Sequence, residues 1–420
     1  MKYKIVFKSL SILLTAFIFV ACIPSSNDII PELPPEPELI PGNELRIDTY
    51  QFSVSKNARL AMDANGNFVA TWTTIHQDGD NYGVFARRFD SSGTAQGEEF
   101  QVNTTTQYQQ SNQSIAMDDN GNFIITWQSR DQDGSSYGIF AQRYNLIGVA
   151  QGSEFQVNTY TSNNQKEPSV AMNANGNFVI SWTSWAQDGD LEGIFAQRFN
   201  AEGDPQGTEL QVNTSVTHNQ EQSSIAIDDD GNFVVVWHSY DSIDNDYNVF
   251  GQRFDSTGTP RGNEFRVNNT TEGYQVIPDV ACDASGNFVI TWKEEGASKG
   301  ISARRYNSDG DAEGLQFQVN SYDNTYQSYP RVTMSFYGDF AITWENLRQD
   351  DGVDKDVYLQ RYDSNGNPLG MEVRVNTNLN GNQVESDIAT AHNGNIVIVW
   401  TSYGQNPGGA GLYGKLYYYQ

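Results

Sequence analysis

The sequence is poor in the residue types that most often carry catalysis, metal binding and disulfide bonding. Its 420 residues include two cysteines, four histidines and 25 lysines and arginines, against 52 aspartates and glutamates. The histidines occupy unrelated positions, and no HExxH, GxSxG, zinc-type Cys/His spacing or phosphate-binding glycine loop occurs. We therefore predict that the protein is not an enzyme and has neither a cofactor nor a metal site.

Basic residues are too few to balance the acidic ones, and the formal net charge is −27. A surface of this sign repels the phosphates of nucleic acids. The composition therefore excludes nucleic acid as a partner, and it is compatible with cations or basic proteins.

Long apolar runs are absent except near the N-terminus. Three lysines precede an apolar stretch over residues 12–20, which is too short to span a bilayer. We interpret residues 1–21 as an export signal. Residues 22–43 hold many prolines, a composition typical of an extended, semi-rigid tether.

The end of this signal carries a motif with a specific meaning. Phe19, Val20, Ala21 and Cys22 resemble the lipobox of bacterial lipoproteins. The resemblance implies that Cys22 is lipidated and anchors the protein to a membrane of the cell envelope. Because Ile23 and not an aspartate follows, the resemblance favours the outer membrane.

The rest of the chain is organised by one repeated stretch, Gly-Asn-Phe-Ile-Ile-Thr-Trp at residues 121–127. Its first five copies are 55 residues apart, which marks a repeat architecture. The seven copies begin at Gly66, Gly121, Gly176, Gly231, Gly286, Gly338 and Gly394. Each has a tryptophan six residues later, namely Trp72, Trp127, Trp182, Trp237, Trp292, Trp344 and Trp400.

Each repeat contains four short β-like runs separated by turn residues, which we name A, B, C and D. In the third repeat they cover 168–172, 177–182, 193–199 and 209–213. Seven such units predict an all-β, seven-bladed β-propeller over residues 44–420.

The two ends of the chain predict how the ring closes. Residues 44–48 match run D, and the last copy ends on run C at 411–417. We expect these two strands to pair, which would leave no open sheet edge.

The repeat resembles bacterial exported lipoproteins built of GNFVxTW, QDG, GIFAQRF and EFQVN segments. The resemblance covers nearly all of residues 44–420 and implies the propeller architecture. It implies no particular activity.

Several polar residues recur in nearly every repeat, which predicts a structural role. One of them is an arginine late in run C, which we expect to pair within the C–D hairpin or with an aspartate of a neighbouring loop. These arginines are Arg88, Arg143, Arg198, Arg253, Arg305 and Arg361.

Acidic turns recur as well, with the patterns Asp-x-x-Gly and Gln-Asp-Gly. They lack the closing glutamate and the ligand spacing of a calcium loop, so we interpret them as turns. Calcium stays open as a weak alternative at Asp241, Asp244 and Asp246.

A ligand site is expected where the repeats differ. In propellers the B–C and D–A loops share one face, which is rich here in Tyr, Trp, Asn, Gln and Asp. Such residues suit sugar rings and equally suit a protein interface. The candidate ligand-binding residues are Trp185, His238, Tyr240, Asp241, Asp244, Asp246, Tyr247 and Tyr403.

Together these features predict an exported, lipid-anchored, monomeric propeller that serves as a non-catalytic binding or interaction scaffold in the cell envelope, with a protein or glycan partner. The alternatives are a carbohydrate-binding surface protein and a polysaccharide-processing enzyme with carboxylates on its rim. A further alternative is that the variable loops bind nothing.

Overall fold

The computed structural model describes residues 39–419 apart from 52, 244, 271, 297–298, 323–325, 348–352 and 407–408. In this part of the chain there are 28 β-strands and no helix, and the strands form seven four-stranded antiparallel sheets. Within the same residues, no helix has the length and hydrophobicity needed to cross a membrane. The predicted all-β, seven-bladed propeller is confirmed. The proposed signal, Cys22 and residues 22–38 of the proposed tether lie outside the described residues.

The four strand types of the repeat recur in every blade. The A strands are β2 (Ser55–Met62), β6 (Gln110–Met117), β10 (Gln165–Met172), β14 (Gln220–Ile227), β18 (Gln275–Cys282), β22 (Gln327–Met334) and β26 (Gln383–Thr390). The B strands are β3 (Phe68–Ile75), β7 (Phe123–Arg130), β11 (Phe178–Trp185), β15 (Phe233–Asp241), β19 (Phe288–Glu294), β23 (Phe340–Leu347) and β27 (Ile396–Asn406).

The C and D strands complete the blades. The C strands are β4 (Tyr82–Phe89), β8 (Tyr137–Tyr144), β12 (Glu192–Phe199), β16 (Asp246–Phe254), β20 (Gly300–Tyr306), β24 (Lys355–Tyr362) and β28 (Gly409–Tyr419). The D strands are two residues long in six blades: β5 (Phe100–Gln101), β9 (Phe155–Gln156), β13 (Leu210–Gln211), β17 (Phe265–Arg266), β21 (Phe317–Gln318) and β25 (Val373–Arg374).

The seventh blade takes its D strand from the start of the chain. Strand β1 (Leu39–Arg46) pairs antiparallel with β28, with Glu44 opposite Lys415 and Arg46 opposite Tyr413. The predicted ring closure is therefore confirmed. Strand β1 begins earlier than predicted, at Leu39. Residues 39–43, which were predicted to belong to the tether, are therefore part of this strand.

The core lies between the blades rather than at one centre. The repeat tryptophans are at most 1% exposed. The buried apolar side chains of the described residues form seven clusters, each shared by two neighbouring blades. Strand B is buried along almost its whole length, as in Phe178–Trp185, because a neighbouring blade covers each face of the sheet.

The recurring acidic turns serve as turns. Asp63 Oδ1 accepts the backbone amides of Asn65 (2.9 Å) and Asn67 (2.8 Å). In the Gln-Asp-Gly segment, Asp78 Oδ1 accepts the amide of Asp80 at 3.2 Å. The last copy of this segment, at residues 349–350, lies outside the described residues.

The recurring arginines make the predicted contact within the C–D hairpin, and they connect neighbouring blades through backbone carbonyl groups. Arg198 donates to the backbone oxygens of Gln206 in its own C–D loop (2.9 Å) and Ser256 in the next blade (2.6 Å). Arg88, Arg143, Arg253 and Arg305 contact the C–D turn of the next blade in the same way. Because every copy of this turn offers a carbonyl, the contact repeats whatever side chains the turn carries.

A second contact between blades is made by the glutamate that opens strand D. Glu99 accepts the amide of Thr49 (2.8 Å), and Glu154 accepts that of Thr104 (2.7 Å). In the closing blade Glu44 of β1 takes this role by accepting the amide and the hydroxyl of Thr377. The chain start thus supplies both the strand and the contact that the seventh blade would otherwise lack.

We expect a chain that begins at residue 47 to be much less stable than one that begins at residue 39. Losing β1 exposes the edge of β28 and removes about four to six ladder hydrogen bonds, each contributing about 1 kcal/mol. The denaturant midpoint of the shorter chain should fall and its aggregation should rise. Equal midpoints for the two chains would show that β1 does not hold the ring closed.

Replacing Arg198 by methionine should lower the free energy of unfolding by about 1–3 kcal/mol. The substitution keeps the aliphatic stem and removes two charge-assisted hydrogen bonds, one of them to the next blade. Thermal melting gives the readout, and Glu202→Gln, an exposed change in the same C–D loop, is the control. Unchanged melting of the Arg198→Met variant would contradict the role as a connector.

Candidate functional site

The face that carries the D–A and B–C loops opens into a cavity on the propeller axis. This axial cavity has a volume of about 380 Å³, and all seven A strands line it. We call this face the loop face. The cavity is built by the first halves of the A strands, so its wall depends on how each of these strands begins.

Every A strand has a β-bulge at the same place, for example between Lys56 and Arg59 in the first blade. The residue inside the bulge has a φ of +51° to +56° in all seven blades, although none of these residues is glycine. This left-handed conformation is costly for a residue such as Ile277, whose side chain is β-branched. The bulge residues are Asn57, Asn112, Glu167, Gln222, Ile277, Tyr329 and Glu385, and they line the cavity.

Two residues further along each strand, a second ring of side chains lines the cavity. Three neighbouring blades contribute serine, and the other four contribute charged residues. The ring consists of Arg59, Ser114, Ser169, Ser224, Asp279, Arg331 and Asp387. Its chemistry therefore differs between the two sides of the axis.

The charged side alternates cations and anions. Arg331 lies between two carboxylates, 3.6 Å from Asp279 and 3.9 Å from Asp387. Each aspartate also accepts a backbone amide of the next blade, that of Val332 at 2.9 Å for Asp279 and that of Leu60 at 2.8 Å for Asp387. Strand A is the inner edge of each blade. Aspartates of the preceding blade therefore accept some of its unpaired backbone amides.

Burial dominates the ionisation of this ring. It lowers the pKa of Arg59 to about 10, with the nearby charge of Arg331 acting in the same direction. It raises the pKa of Asp387, although Arg59 and Arg331 oppose this. Charges held here without water are expensive, and a polar ligand would replace part of the missing solvation.

A pair of carboxyl groups lies beside the axial cavity, where blades 3 and 4 meet. Glu192 begins β12, and Glu221 is the second residue of β14. Lys166 approaches Glu192 to 2.9 Å (Nζ to Oε1), and His238 lies 3.7 Å from Glu221 (Nε2 to Oε2). Glu167 of the cavity wall interacts electrostatically with Lys166, Glu221 and His238, so the pair and the cavity adjoin.

The two carboxyl groups influence each other's ionisation. The second oxygen of Glu192, Oε2, is buried and has no hydrogen-bond partner among the described residues. Burial and the neighbouring Glu221 carboxyl group raise the pKa of Glu192 to about 7, against the effect of Lys166. The nearby His238 side chain, helped by Glu192, lowers the pKa of Glu221 to about 2.

A row of aromatic rings leads away from the pair across blades 4 and 5. Tyr247 packs edge-on against His238 (5.6 Å between ring centroids), Tyr240 (5.6 Å) and Tyr274 (5.7 Å). Tyr274 is 49% exposed. Such rings present apolar faces beside polar edges, which suits the two-sided surface of a sugar ring.

The opposite side of the cavity mouth, over blades 5 and 6, carries lysines around a tyrosine. Lys293 donates to the Tyr326 hydroxyl at 3.1 Å, and Lys355 lies 4.9 Å from its ring centroid. Burial alone would raise the pKa of Tyr326, but hydrogen bonds with Ser328 and Lys293 and the charges of the two lysines lower it. Glu345 binds Lys355 at 2.9 Å, so this cluster also balances its charges locally.

The predicted ligand-binding residues divide into two groups. The structure brings together His238, Tyr240 and Tyr247 in the aromatic row. Trp185 lies in the neighbouring blade, where its cross-strand partner is Glu192. Tyr403 lies in blade 7, close to Glu385 of the cavity wall and to Glu345.

The acidic residues of the same loop make turn and cross-strand contacts where the structure describes them. Asp241 Oδ1 accepts the amide of Ile243 at 2.8 Å, which is a turn contact. Asp241 and Asp246 pair across the two strands, and Asp244 lies outside the described residues. Among the described residues there is no group of three or more metal-ligating side chains.

Sequence reasoning missed Glu192 and Glu221, although the repeat contained a signal for both. Where blades 1 and 2 have Tyr82 and Tyr137, blade 3 has Glu192. Glu221 stands at the position of Lys166 in the preceding repeat. A search for departures from the repeat inside the strands, as well as in the loops, would have found both residues.

Comparison with solved structures finds the same architecture at low sequence identity. A protein of unknown function from Dyadobacter fermentans has a TM-score of 0.54 at 10% identity, covering 92% of this chain and 100% of its own. An ulvan lyase bound to -[GlcA(1-4)Rha3S]- has a TM-score of 0.52 at 12% identity, covering 89% and 93%. An acylaminoacyl peptidase from Pyrococcus horikoshii has a TM-score of 0.50 at 11% identity, covering 86% and 50%. No family model and no curated protein matches the chain.

Likeness at these identities shows the fold alone. It corrects the prediction that the protein is not an enzyme, because that prediction was based on missing motifs and an enzyme has the same fold. The ulvan lyase has this fold and is an enzyme. The prediction failed because the motifs it relied on belong to other folds, whereas a propeller can assemble its reactive groups from several blades. The chain is a seven-bladed β-propeller, a fold that polysaccharide-cleaving enzymes share.

Proposed function

We propose that this protein binds a glycan chain on its loop face and hydrolyses a glycosidic bond there. The observation that carries the proposal is the Glu192–Glu221 pair, set between the axial cavity and a row of tyrosines. The similarity to a polysaccharide lyase propeller supports the carbohydrate interpretation at the level of the fold.

The opposite pKa shifts divide the chemical roles within the pair. Hydrolysis of a glycoside needs a proton for the leaving oxygen and a carboxylate to receive the proton of the attacking water. Glu192 holds its proton near neutral pH and serves as the acid. Glu221 stays ionised and serves as the base.

In most glycosidases the two carboxyl groups are about 5–10 Å apart. A glycosidic oxygen that takes the Glu192 proton would enter between Glu192 and Glu221 and set their separation. Lys166 and His238 hold one carboxyl group each, so the two can part without losing all their partners.

The tyrosine row would hold the sugar chain beside the pair. Tyr240 and Tyr274 both pack against Tyr247, and Tyr274 is exposed. Their rings would pack on the apolar faces of successive sugars, and their hydroxyls would bind sugar hydroxyls.

The export signal and the lipid anchor at Cys22 belong to the same proposal. An anchored propeller in the cell envelope would meet glycans outside the cytoplasm, and its acidic surface would not bind nucleic acids. We propose a monomer, because the ring closes on itself through β1.

Glu192→Gln and Glu221→Gln should each lower the rate of release of reducing sugar ends by at least about 100-fold. Both changes keep the side-chain volume, and binding of uncleaved oligosaccharide should change much less. Glu209→Gln, which alters a glutamate that connects blades outside the pair, is the control for a lost carboxylate. Full activity in the Glu192→Gln variant would exclude the proposed acid. Binding without cleavage by the unmodified protein would leave a glycan-binding protein in place of an enzyme.

The raised pKa of Glu192 also predicts how stability depends on pH. Glu192 has a pKa of about 7 in the folded protein, against an ordinary value of 4.5, so the folded state binds a proton that the unfolded chain releases between these values. Its contribution to stability is fully present below pH 4.5 and is lost as the pH rises through 7. The unfolding midpoint of the unmodified protein should therefore fall over this window relative to Glu192→Gln. Parallel curves for the two proteins would contradict the raised pKa.

A further inference from the structure

Polar side chains line the axial cavity, and the proposed reaction at Glu192 and Glu221 does not involve them. Glu167 connects the cavity to the Glu192–Glu221 pair, and Tyr329 and Glu385 connect it to the lysine cluster on the other side. We propose that the axial cavity is the subsite for the terminal residue of the glycan chain and that it takes an uncharged sugar. This inference rests on the proposed function and names its substrate class.

The size of the cavity fits one end of a chain. At about 380 Å³ it lies at the small end of ligand pockets, which span roughly 300–1,000 Å³, and it has room for about one or two sugar rings. Below the ring that contains Arg59 and Ser169, the wall becomes aliphatic. Those side chains are Leu60, Ile115, Val170, Ile225, Val280, Val332 and Ile388, each 5–8% exposed. A sugar would have no hydrogen-bond partners among the aliphatic side chains, so we expect it to bind at the level of the polar side chains.

The polar rings offer both donors and acceptors, as a polyol requires. Ser114, Ser169 and Ser224 stand on one side, and the guanidinium groups of Arg59 and Arg331 stand on the other. Arg59 also lines the cavity, and its Nη1 donates to the carbonyl of Ala58 (2.9 Å).

The charges in the wall determine which sugars the cavity accepts. Among the described residues that line it, four carry carboxyl groups (Glu167, Asp279, Glu385 and Asp387) and two carry guanidinium groups. Arg331 contacts both Asp279 and Asp387, and the carboxyl groups outnumber the guanidinium groups by two. A uronate or a sulfated sugar would bring a further negative charge into this poorly solvated place, and repulsion there is weakly screened.

The first test measures binding by calorimetry with the Glu192→Gln variant, so that no ligand is cleaved. Uncharged probes are the tetrasaccharides of arabinose, xylose and glucose, and acidic probes are tetragalacturonate and a sulfated tetrasaccharide. We expect at least one uncharged probe to bind and the acidic probes to bind at least about tenfold more weakly. Tighter binding of an acidic probe, or binding of none of the uncharged ones, would overturn the inference.

The second test locates the ligand in the cavity. Ser169→Phe should fill the cavity and weaken binding of the uncharged probe by at least about tenfold. Ser153→Phe adds the same ring on an exposed loop and should leave the affinity unchanged. Equal affinities for the two variants would place the ligand elsewhere on the loop face. Circular dichroism and melting confirm that both variants fold.

The third test addresses the charge directly. Asp387→Asn keeps an oxygen that can accept the amide of Leu60 and removes one negative charge, so affinity for tetragalacturonate should rise roughly tenfold. Asp90→Asn removes the same charge from a turn outside the cavity and should have no effect. No change in the Asp387→Asn variant would contradict the electrostatic exclusion.

The proposed function and this inference can fail separately. Cleavage of an acidic polysaccharide that depends on Glu192 would support the reaction and overturn the choice of an uncharged sugar. The absence of both cleavage and binding across all probes would overturn both.

Discussion

The structure depends on the pairing of its two chain ends. Seven blades pack only against their neighbours, so the ring is complete when the seventh blade meets the first, and strand β1 on β28 makes that junction. Residues 39–46 supply the outer strand of the seventh blade. The next two residues also bond to β28, through the backbone amide of Ile47 and the side-chain carboxylate of Asp48. Every feature on the axis requires this closure, because the axial cavity is lined by all seven blades at once.

The scaffold is maintained by residues that repeat, and the site arises where the repeat is broken. The buried tryptophans, the arginines that reach the next C–D turn and the glutamates that open strand D occur at equivalent positions around the ring. The ring at Arg59 instead changes from arginine to serine to aspartate around the axis, and Glu192 replaces a tyrosine. The recurring tryptophans, arginines and glutamates stand at other positions, so their contacts are kept where the ring residues differ from blade to blade.

The architecture could be predicted from the sequence because turn chemistry and strand period act locally and recur seven times. The spare run at 44–48 even predicted the ring closure. The axial cavity could not be predicted, because its wall is set by bulges at non-glycine residues such as Ile277 and Tyr329, whose left-handed conformation no local pattern announces. The aromatic row was partly foreseen at His238, Tyr240 and Tyr247, since those loops depart visibly from the repeat.

The missing motifs misled the prediction about catalysis for a physical reason. A contiguous motif can exist only where one turn or helix holds all the reacting groups, as in the folds that use HExxH or GxSxG. Here a carboxyl group from strand C of blade 3 lies beside one from strand A of blade 4, and a histidine from strand B of blade 4 lies 3.7 Å from the second. Positions 192, 221 and 238 come together because blades pack side by side, so the proposed site depends on the contact between two repeats. A propeller of this kind should therefore be searched for reactive groups across blade boundaries, at the strand positions where one repeat differs from the next.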